Sequence, residues 1–491
     1  MTPFVIFFCF LIYTALLFTL GWLTSRRSGN EAFFIGNRQS PWYVVAYGMI
    51  GASLSGVTFI SIPGDVGATR FSYIVIVLGY LVGYAVIANV LLPLYYRLNL
   101  TSIYTYLEQR FGFWSYKTGA FFFLLSRIIG ASFRMFLVVN VLQLFVFDRW
   151  GIPFWFTVLL FIVLILLYTY KGGIKTIVWT DMLQTTFMLL AVILTIILIS
   201  SQLGQPLGDL LSDVFRSDLS QFTYTNWQHK HFFLKDFLAG AFIAVVMTGL
   251  DQDMMQKNLS CRNLKEAKKN VYWMSWSLVP VNFIFLILGA VLYLYSFRMQ
   301  IPVPALTDDL FPTIALQHLT PLAGIVFIIG LIAAAYSSAD SALTALTTSF
   351  SIDILGLPQR SDLTEKQKIH HRYFIHIALA AVLAAVIIIF RAVNDQSVIS
   401  RLFTLAGYTY GPLLGMYAFG LFTRKKVRDA WVPVIAVISP AICYVLSIYD
   451  KVLFNGYNFG FELLILNGLI TFAGLLIIHR PVRLKGSGHS N

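Results

Sequence analysis

Four ionisable side chains stand inside long apolar runs of this chain: Arg127, Arg134, Asp181 and Asp340. A charge at the centre of a bilayer is costly enough that such a residue marks a pathway, a relay or a binding site by default. Around Asp340 the sequence reads Ala334-Ala-Tyr-Ser337-Ser338-Ala-Asp340-Ser341-Ala-Leu-Thr344-Ala-Leu-Thr347-Thr348-Ser349. At ~100° per helical residue, Asp340 falls about 60° to one side of Ser337 and Ser341 about 40° to the other. One face thus offers two hydroxyls and a carboxylate, the oxygen donors that hard cations such as sodium take. The bland alternative is that the hydroxyls bond to carbonyls one turn back, or pack as small residues against a neighbouring helix. An embedded carboxylate on the same face tips the balance toward a cation site.

Asp181 lies in Gly172-Gly173-Ile-Lys175-Thr-Ile-Val-Trp179-Thr180-Asp181-Met-Leu-Gln184. There it is either an intramembrane ligand or, with Thr180, the cap of a helix start. Arg127 and Arg134, seven residues apart on one run, share a helix face roughly 10 Å apart along the axis. A guanidinium in a membrane cavity can grip a carboxylate through two hydrogen bonds. Equally, the pair can neutralise Asp181 or Asp340, or snorkel to the interface. Asp251, Gln252, Asp253 and Gln256 end a further run before a basic loop, a place for a cytoplasmic latch rather than a solute site. Every other charged residue reads as lying near an interface.

These groups need membrane helices to position them. Of the 491 residues 58 % are hydrophobic and 12 % charged, against roughly 25 % charged in a soluble globule. Runs long enough for a hydrocarbon core of ~30 Å recur near 2–24, 41–63, 71–96, 119–147, 153–170, 180–202, 232–256, 272–298, 321–347, 370–392, 398–422, 430–449 and 458–479. The expectation is an all-α integral membrane protein of about thirteen transmembrane helices. The first run is long, lacks a basic start and has no small-residue cleavage pattern, so it reads as a helix rather than a signal peptide.

An odd number of spans puts the termini on opposite sides. Twenty-four Lys and Arg fall in one alternate set of segments, at 26–38, 97–117, 171–175, 257–269, 360–372, 424–428 and 480–485, and nine in the other. The positive-inside rule then sets the N-terminus outside and the C-terminus in the cytoplasm of a cell (plasma or bacterial inner) membrane. The net charge of +13 follows from loops that face anionic lipid, so no nucleic-acid partner is implied. Asn99-Leu-Thr101 and Asn258-Leu-Ser260 match glycosylation acceptors but fall on the cytoplasmic side. There is no G-x-x-x-x-G-K-S/T, which argues against an ATP-driven pump, and no H-E-x-x-H or soluble catalytic or signalling appendage, which leaves an intramembrane enzyme or sensor only a remote alternative. Cys9, Cys261 and Cys443 are odd in number and sit in or beside spans, so no disulfide framework is expected. The partners expected are the bilayer, a cation and a small solute, with no obligatory protein partner.

Glycine clusters within spans mark close helix packing or a broken helix lining a cavity. The second run reads Gly48-Met-Ile-Gly51-Ala-Ser53-Leu54-Ser55-Gly56-Val-Thr58, and the seventh holds Gly240 and then Met247-Thr-Gly249. Two interrupted spans five helices apart predict an inverted repeat, spans two to six against seven to eleven, with a site at mid-membrane.

Six stretches, in order along nearly the whole chain, resemble the sodium:solute symporter family. They are Glu31-Ala-Phe-Phe-Ile-Gly-Asn-Arg38, Ser102-Ile-Tyr-Thr-Tyr-Leu-Glu-Gln-Arg-Phe111, Gly172 through Gln184, Thr248-Gly-Leu-Asp-Gln-Asp-Met-Met-Gln256, Ser337 through Ser349, and Gly411-Pro-Leu-Leu-Gly415. The resemblance implies a LeuT-type 5+5 inverted repeat with one extra N-terminal and two extra C-terminal helices. Its parts would be an extra helix and loop at 1–40, repeats at 41–202 and 232–422, and two helices with a cytoplasmic tail at 423–491. It implies a symporter, not an enzyme, that imports a small organic solute by alternating access, with Na+ as coupling ion and no cofactor.

The family's shared sodium site carries over to Gly51, Leu54, Ala334, Ser337 and Ser338. A second sodium site, found in some members including those for sialic acid, carries over to Asp181, Ser337 and Ser341. Asp340 departs from the pattern, which has a hydroxyl there. Its carboxylate can strengthen the second site, pair with an arginine or take a proton, so proton-coupled symport through Asp340 or Asp181 is the alternative. Solute contacts carry over to Ser53, Ser55 and Thr58. Sugar-carrying members have Glu-Gln where this chain has Val57-Thr58 and an aromatic gate where it has Met247, which disfavours a galactose-like solute. Members for sialic acid are more similar and place an arginine on the third core helix, matching Arg127 or Arg134, so an anionic solute is the expectation.

Overall fold

Lipid offers no hydrogen bonds, so an apolar run that enters it must satisfy its own backbone, and a helix does so within one segment. In the computed structural model every one of the thirteen runs falls on helix. The structure describes residues 2–25, 36–169, 173–393 and 397–480. Glu31 to Ile35 of the first motif, Gly172, and the basic residues Arg26, Arg27, Lys171, Arg483 and Lys485 lie outside the described residues. Among the described residues nine helices are long and apolar enough to cross a bilayer, a further pair is bent by 66° at a short break, and three more apolar helices are shorter.

The helices are α1 (Pro3–Ser25), α2 (Trp42–Thr69), α3 (Tyr73–Val86), α4 (Phe113–Leu142), α5 (Phe154–Thr169) and α6 (Gly173–Gln202). Then follow α7 (Phe233–Ala244), α8 (Gln252–Leu259), α9 (Leu264–Arg298), α10 (Pro321–Ser349) and α11 (Glu365–Val393). The last four are α12 (Val398–Thr409), α13 (Gly411–Phe422), α14 (Val432–Ile448) and α15 (Leu463–Ile477). Several helices outrun their apolar stretch. α9 begins eight residues before its run, through Leu264-Lys-Glu-Ala-Lys-Lys-Asn270, because charged residues continue a helix readily once Asn263 caps it by accepting from the Glu266 amide.

Packing is reciprocal: α3 lies on α7, and α2 lies on α9. The first helix of each five-helix set therefore rests on the second helix of the other, as an inverted repeat requires. α10 touches α6, α4 and α2, so every residue from Gly330 to Ser349 is buried and its hydroxyl-rich face meets protein rather than lipid.

Two breaks set the middle of the bundle. In α2, Ser55 adopts φ 25° and ψ 175°, so the three i→i−4 hydrogen bonds that span it, with acceptors Ala52, Ser53 and Leu54, lose regular geometry. Between the π turn that ends at Gly249 and α8, Asp251 is extended at φ −106° and ψ 122°. Its side chain caps α8 by accepting from the Asp253 and Met254 amides. The carbonyls freed here are taken up by buried phenols: Tyr95 donates to Gly249 O at 2.8 Å and Tyr104 to Leu250 O at 2.9 Å.

Small residues bring the paired helices close. A Cβ on Gly240 of α7 would overlap the Ile76 carbonyl of α3. Replacing Gly240 with alanine is expected to destabilise the protein by ~1–3 kcal/mol through overpacking, whereas Gly208→Ala, where a Cβ meets open space, should leave thermal unfolding in detergent unchanged.

Candidate functional site

A cavity of about 80 Å³ opens where the two breaks face each other. Its wall includes Ser53, Leu54, Ser55 and Thr58 of α2, Arg127 and Arg134 of α4, and Met247 just after α7. All seven of these residues, singled out in the sequence, therefore meet at one place, because the break in α2 turns its hydroxyls toward α4. Tyr84 and Thr248 close a further side, their hydroxyls 3.3 Å apart.

The two arginines differ in what they touch. Arg127 reaches across to α8: one end of its guanidinium meets the Asp253 carboxylate, and Nη1 stands 3.9 Å from Asp251 Oδ2. Asp251 also accepts from Tyr410 Oη at 2.6 Å, and Asp253 from Ser341 Oγ at 3.0 Å. Removing one member of such a buried cluster leaves the others with unpaired charge. Arg134, 9 % exposed, makes no ion pair among the described residues. Its guanidinium lines the cavity beside Ser53, Ser55 and Thr58.

Asp181 sits eight residues into α6, too deep to be a cap. A glycine makes room for it: a Cβ on Gly48 would stand 2.9 Å from Asp181 Cβ. Its Oδ1 accepts from Ser337 Oγ at 2.7 Å, and its Oδ2 meets Lys257 Nζ at 2.7 Å. Ser338 Oγ donates to Ala334 O at 3.2 Å. Gly51 faces Thr185 of α6, which it approaches so closely that a Cβ would overlap the threonine hydroxyl. The face of α10 thus divides among three neighbours. Ser337 turns to Asp181 and Ser341 to Asp253, while Asp340 accepts from the Ser341 amide at 2.6 Å and lies in the field of Tyr13 and Tyr336.

One expectation needs correction. Lys257 was expected to be the first residue of a basic loop, just after a latch formed by Asp251 and Asp253. Lys257, Asp251 and Asp253 are instead at most 1 % exposed. The bend of 66° turns α8 back into the bundle, and all eight of its residues, Gln-Asp-Met-Met-Gln-Lys-Asn-Leu, are buried. Five polar residues among eight, lying directly after an apolar run, were the available signal, since only a polar protein interior can bury them.

Beyond the cavity, the rings of Tyr73 and Phe403 stack with centroids 6.5 Å apart and separate it from a second pocket that holds Asp65 and His231. Asp65 accepts from Thr307 Oγ1 at 3.0 Å and Ser397 Oγ at 2.9 Å, and Asp308, in the loop before α10, accepts from the Val398 amide at 2.9 Å. Burial, with the nearby Asp65 carboxylate, pushes the Asp308 carboxyl up to about 7.

Hydroxyls, a broken helix and two guanidinium groups, one of them ion-paired, around a small cavity are equipment for holding a solute and a cation rather than for covalent chemistry. With paired broken helices at mid-depth, they define a secondary active transporter. The chain belongs to the sodium:solute symporter family, whose model matches residues 33–429. It is 24 % identical over 457 residues to the sodium/sialic acid symporter SiaT of Proteus mirabilis, covering 89 % of this chain and 88 % of that one. It is 25 % identical to the sodium/sialic acid symporter NanT of Aliivibrio fischeri, covering 94 % and 91 %. The sodium-coupled monocarboxylate transporter 1 of Mus musculus is 26 % identical, covering 80 % of this chain and 64 % of the mouse protein. The fold matches the substrate-bound outward-open state of a Na+-coupled sialic acid symporter with a TM-score of 0.81 at 21 % identity, covering 96 % and 97 %. The protein is therefore a multi-pass membrane symporter coupled to sodium, not an enzyme, and the family favours sodium over the proton as its coupling ion.

The Asp308 contact carries a pH signature. Its folded value lies above the ordinary carboxylate value of about 4, so the unfolded chain gives up this proton first and the stability it contributes is lost as pH rises from about 4 through about 7. Melting temperatures measured across that window should fall less steeply for Asp308→Asn than for the parent protein.

Proposed function

We propose that the protein imports a small carboxylate-bearing solute with sodium by alternating access. The observation that carries this reading is the difference between the two arginines: Arg127 is neutralised by Asp251 and Asp253, whereas Arg134, with no ion pair among the described residues, brings its cation to the cavity wall. A carboxylate supplies the charge and the two acceptors that a guanidinium fits. Ser53, Ser55 and Thr58 then hold the solute's polar groups, and Met247 covers it. The sialic acid and monocarboxylate substrates named for the relatives are both anions of this kind.

The first sodium would take neutral oxygens from Gly51, Leu54 and Ala334 carbonyls and the Ser338 hydroxyl, with Ser337 at its edge. Backbone oxygens at the α2 break suit this, since the helix no longer uses them fully. A cavity of about 80 Å³ is well below the ~300–1,000 Å³ of pockets that enclose drug-sized ligands, so a sugar-sized acid enters only after the Tyr73 and Phe403 side moves apart. Each ligand shifts that equilibrium by its differential affinity for the open and closed states. The excess of basic residues in alternate segments supports an outside N-terminus and a cytoplasmic C-terminus, and the reciprocal packing of α2 on α9 and α3 on α7 supports repeats at 41–202 and 232–422.

In proteoliposomes, uptake of radiolabelled sialic acid and of short monocarboxylates is expected to require external sodium and to stop when choline replaces it. Arg134→Ala should lower apparent affinity for the transported acid by ~10–100-fold, the worth of a charged hydrogen-bonded contact. Uptake undiminished in choline would refute the sodium coupling, and an unchanged affinity in Arg134→Ala would refute the anion contact.

A further inference from the structure

We infer that Lys257 is a built-in cation that occupies the place of a second sodium, so that this chain couples one sodium to each solute. The inference rests on the sodium-coupled anion reading above and adds its stoichiometry. Lys257 Nζ lies 2.7 Å from Asp181 Oδ2, while Asp181 Oδ1 accepts from Ser337 Oγ at 2.7 Å. Lys257, Asp181 and Ser337 are each no more than 1 % exposed. The carboxylate and hydroxyl that would otherwise make an anionic cation site are therefore closed around an ammonium.

An ammonium carries three donors and no acceptor. It cannot join a sodium coordination sphere, and its charge opposes any cation that approaches the same carboxylate. The neighbouring carboxylates offer no substitute, since Asp251 and Asp253 face Arg127, and Ser341, which would complete the second site, donates to Asp253. Asp340 lies on the Tyr13 and Tyr336 side of α10. The tether also fixes where the cation can go. Lys257 lies in the last turn of α8, on the far side of the break from α7, and it links this short helix to α6. It thus moves with the protein and is not released with the solute.

One sodium and one monovalent anion carry no net charge, so transport by this chain is electroneutral on this account. Taking Lys257 away uncovers a buried carboxylate next to a hydroxyl, a demand for positive charge that a sodium from solution can meet.

Binding of radioactive sodium to the purified protein without solute tests the inference directly. The parent protein and Lys257→Arg are expected to bind one sodium per chain, and Lys257→Gln two. A double variant, Asp181→Asn with Lys257→Gln, removes both charges and should fold and bind one even if the single variant does not fold. Two sodium ions on the parent protein, or one on a folded Lys257→Gln, would overturn the inference and leave sodium coupling standing. No sodium on the parent protein would overturn both. In proteoliposomes an imposed inside-negative potential should leave uptake of radiolabelled sialic acid unchanged for the parent protein and speed it for Lys257→Gln.

Discussion

A helix can break in the middle of a membrane only where protein takes over the backbone groups that the break sets free, because no water is at hand to do so. The arrangement of the bundle follows from that constraint. α2 breaks at Ser55 and the seventh span at Leu250 and Asp251, and both breaks lie where neighbouring helices enclose them. Tyr95 and Tyr104 donate to the carbonyls released at one break. At the other, the turn at Ser55 disturbs the helical hydrogen bonds accepted by Ala52, Ser53 and Leu54. Close helix contacts at Gly48, Gly51, Gly79 and Gly240 hold the surrounding helices together around the breaks.

Charge is distributed by the same logic. Burying an ion pair does not of itself stabilise a protein, since desolvation offsets the attraction, but breaking one is expensive. The Arg127 cluster ties α4 to α8, and the Lys257 pair ties α8 to α6. The short helix after the second break is therefore fixed on two sides by contacts that hold only in one geometry. Arg134 stands apart from this network and faces the cavity.

Much of this was legible in the sequence. The hydrocarbon thickness forces long apolar runs, so the runs could be read as helices, and glycine and hydroxyl clusters marked both breaks. Arg127, Arg134, Asp181 and Asp340 stood out because an ionisable group in an apolar run has few explanations. What was not legible was partnership. Arg127 meets residues more than a hundred positions away, and only the fold decides that it, rather than Arg134, is neutralised. Lys257 was hidden for a different reason: it follows directly on the run at 232–256 and was read as the first residue of a basic loop, whereas it lies in a short helix whose eight residues are all buried. Asp340 was read as sharing a face with both Ser337 and Ser341, yet those three side chains turn to different neighbours.

The central claim is that solute and sodium cross together, and parallel fluxes test it most directly. Radioactive sodium and radiolabelled sialic acid would be followed into the same proteoliposomes under an imposed sodium gradient. The account predicts a sodium influx that appears only when the acid is present, equals it in amount, and weakens with it in Ser338→Ala. Acid influx unaccompanied by sodium, or sodium influx indifferent to the acid, would contradict it.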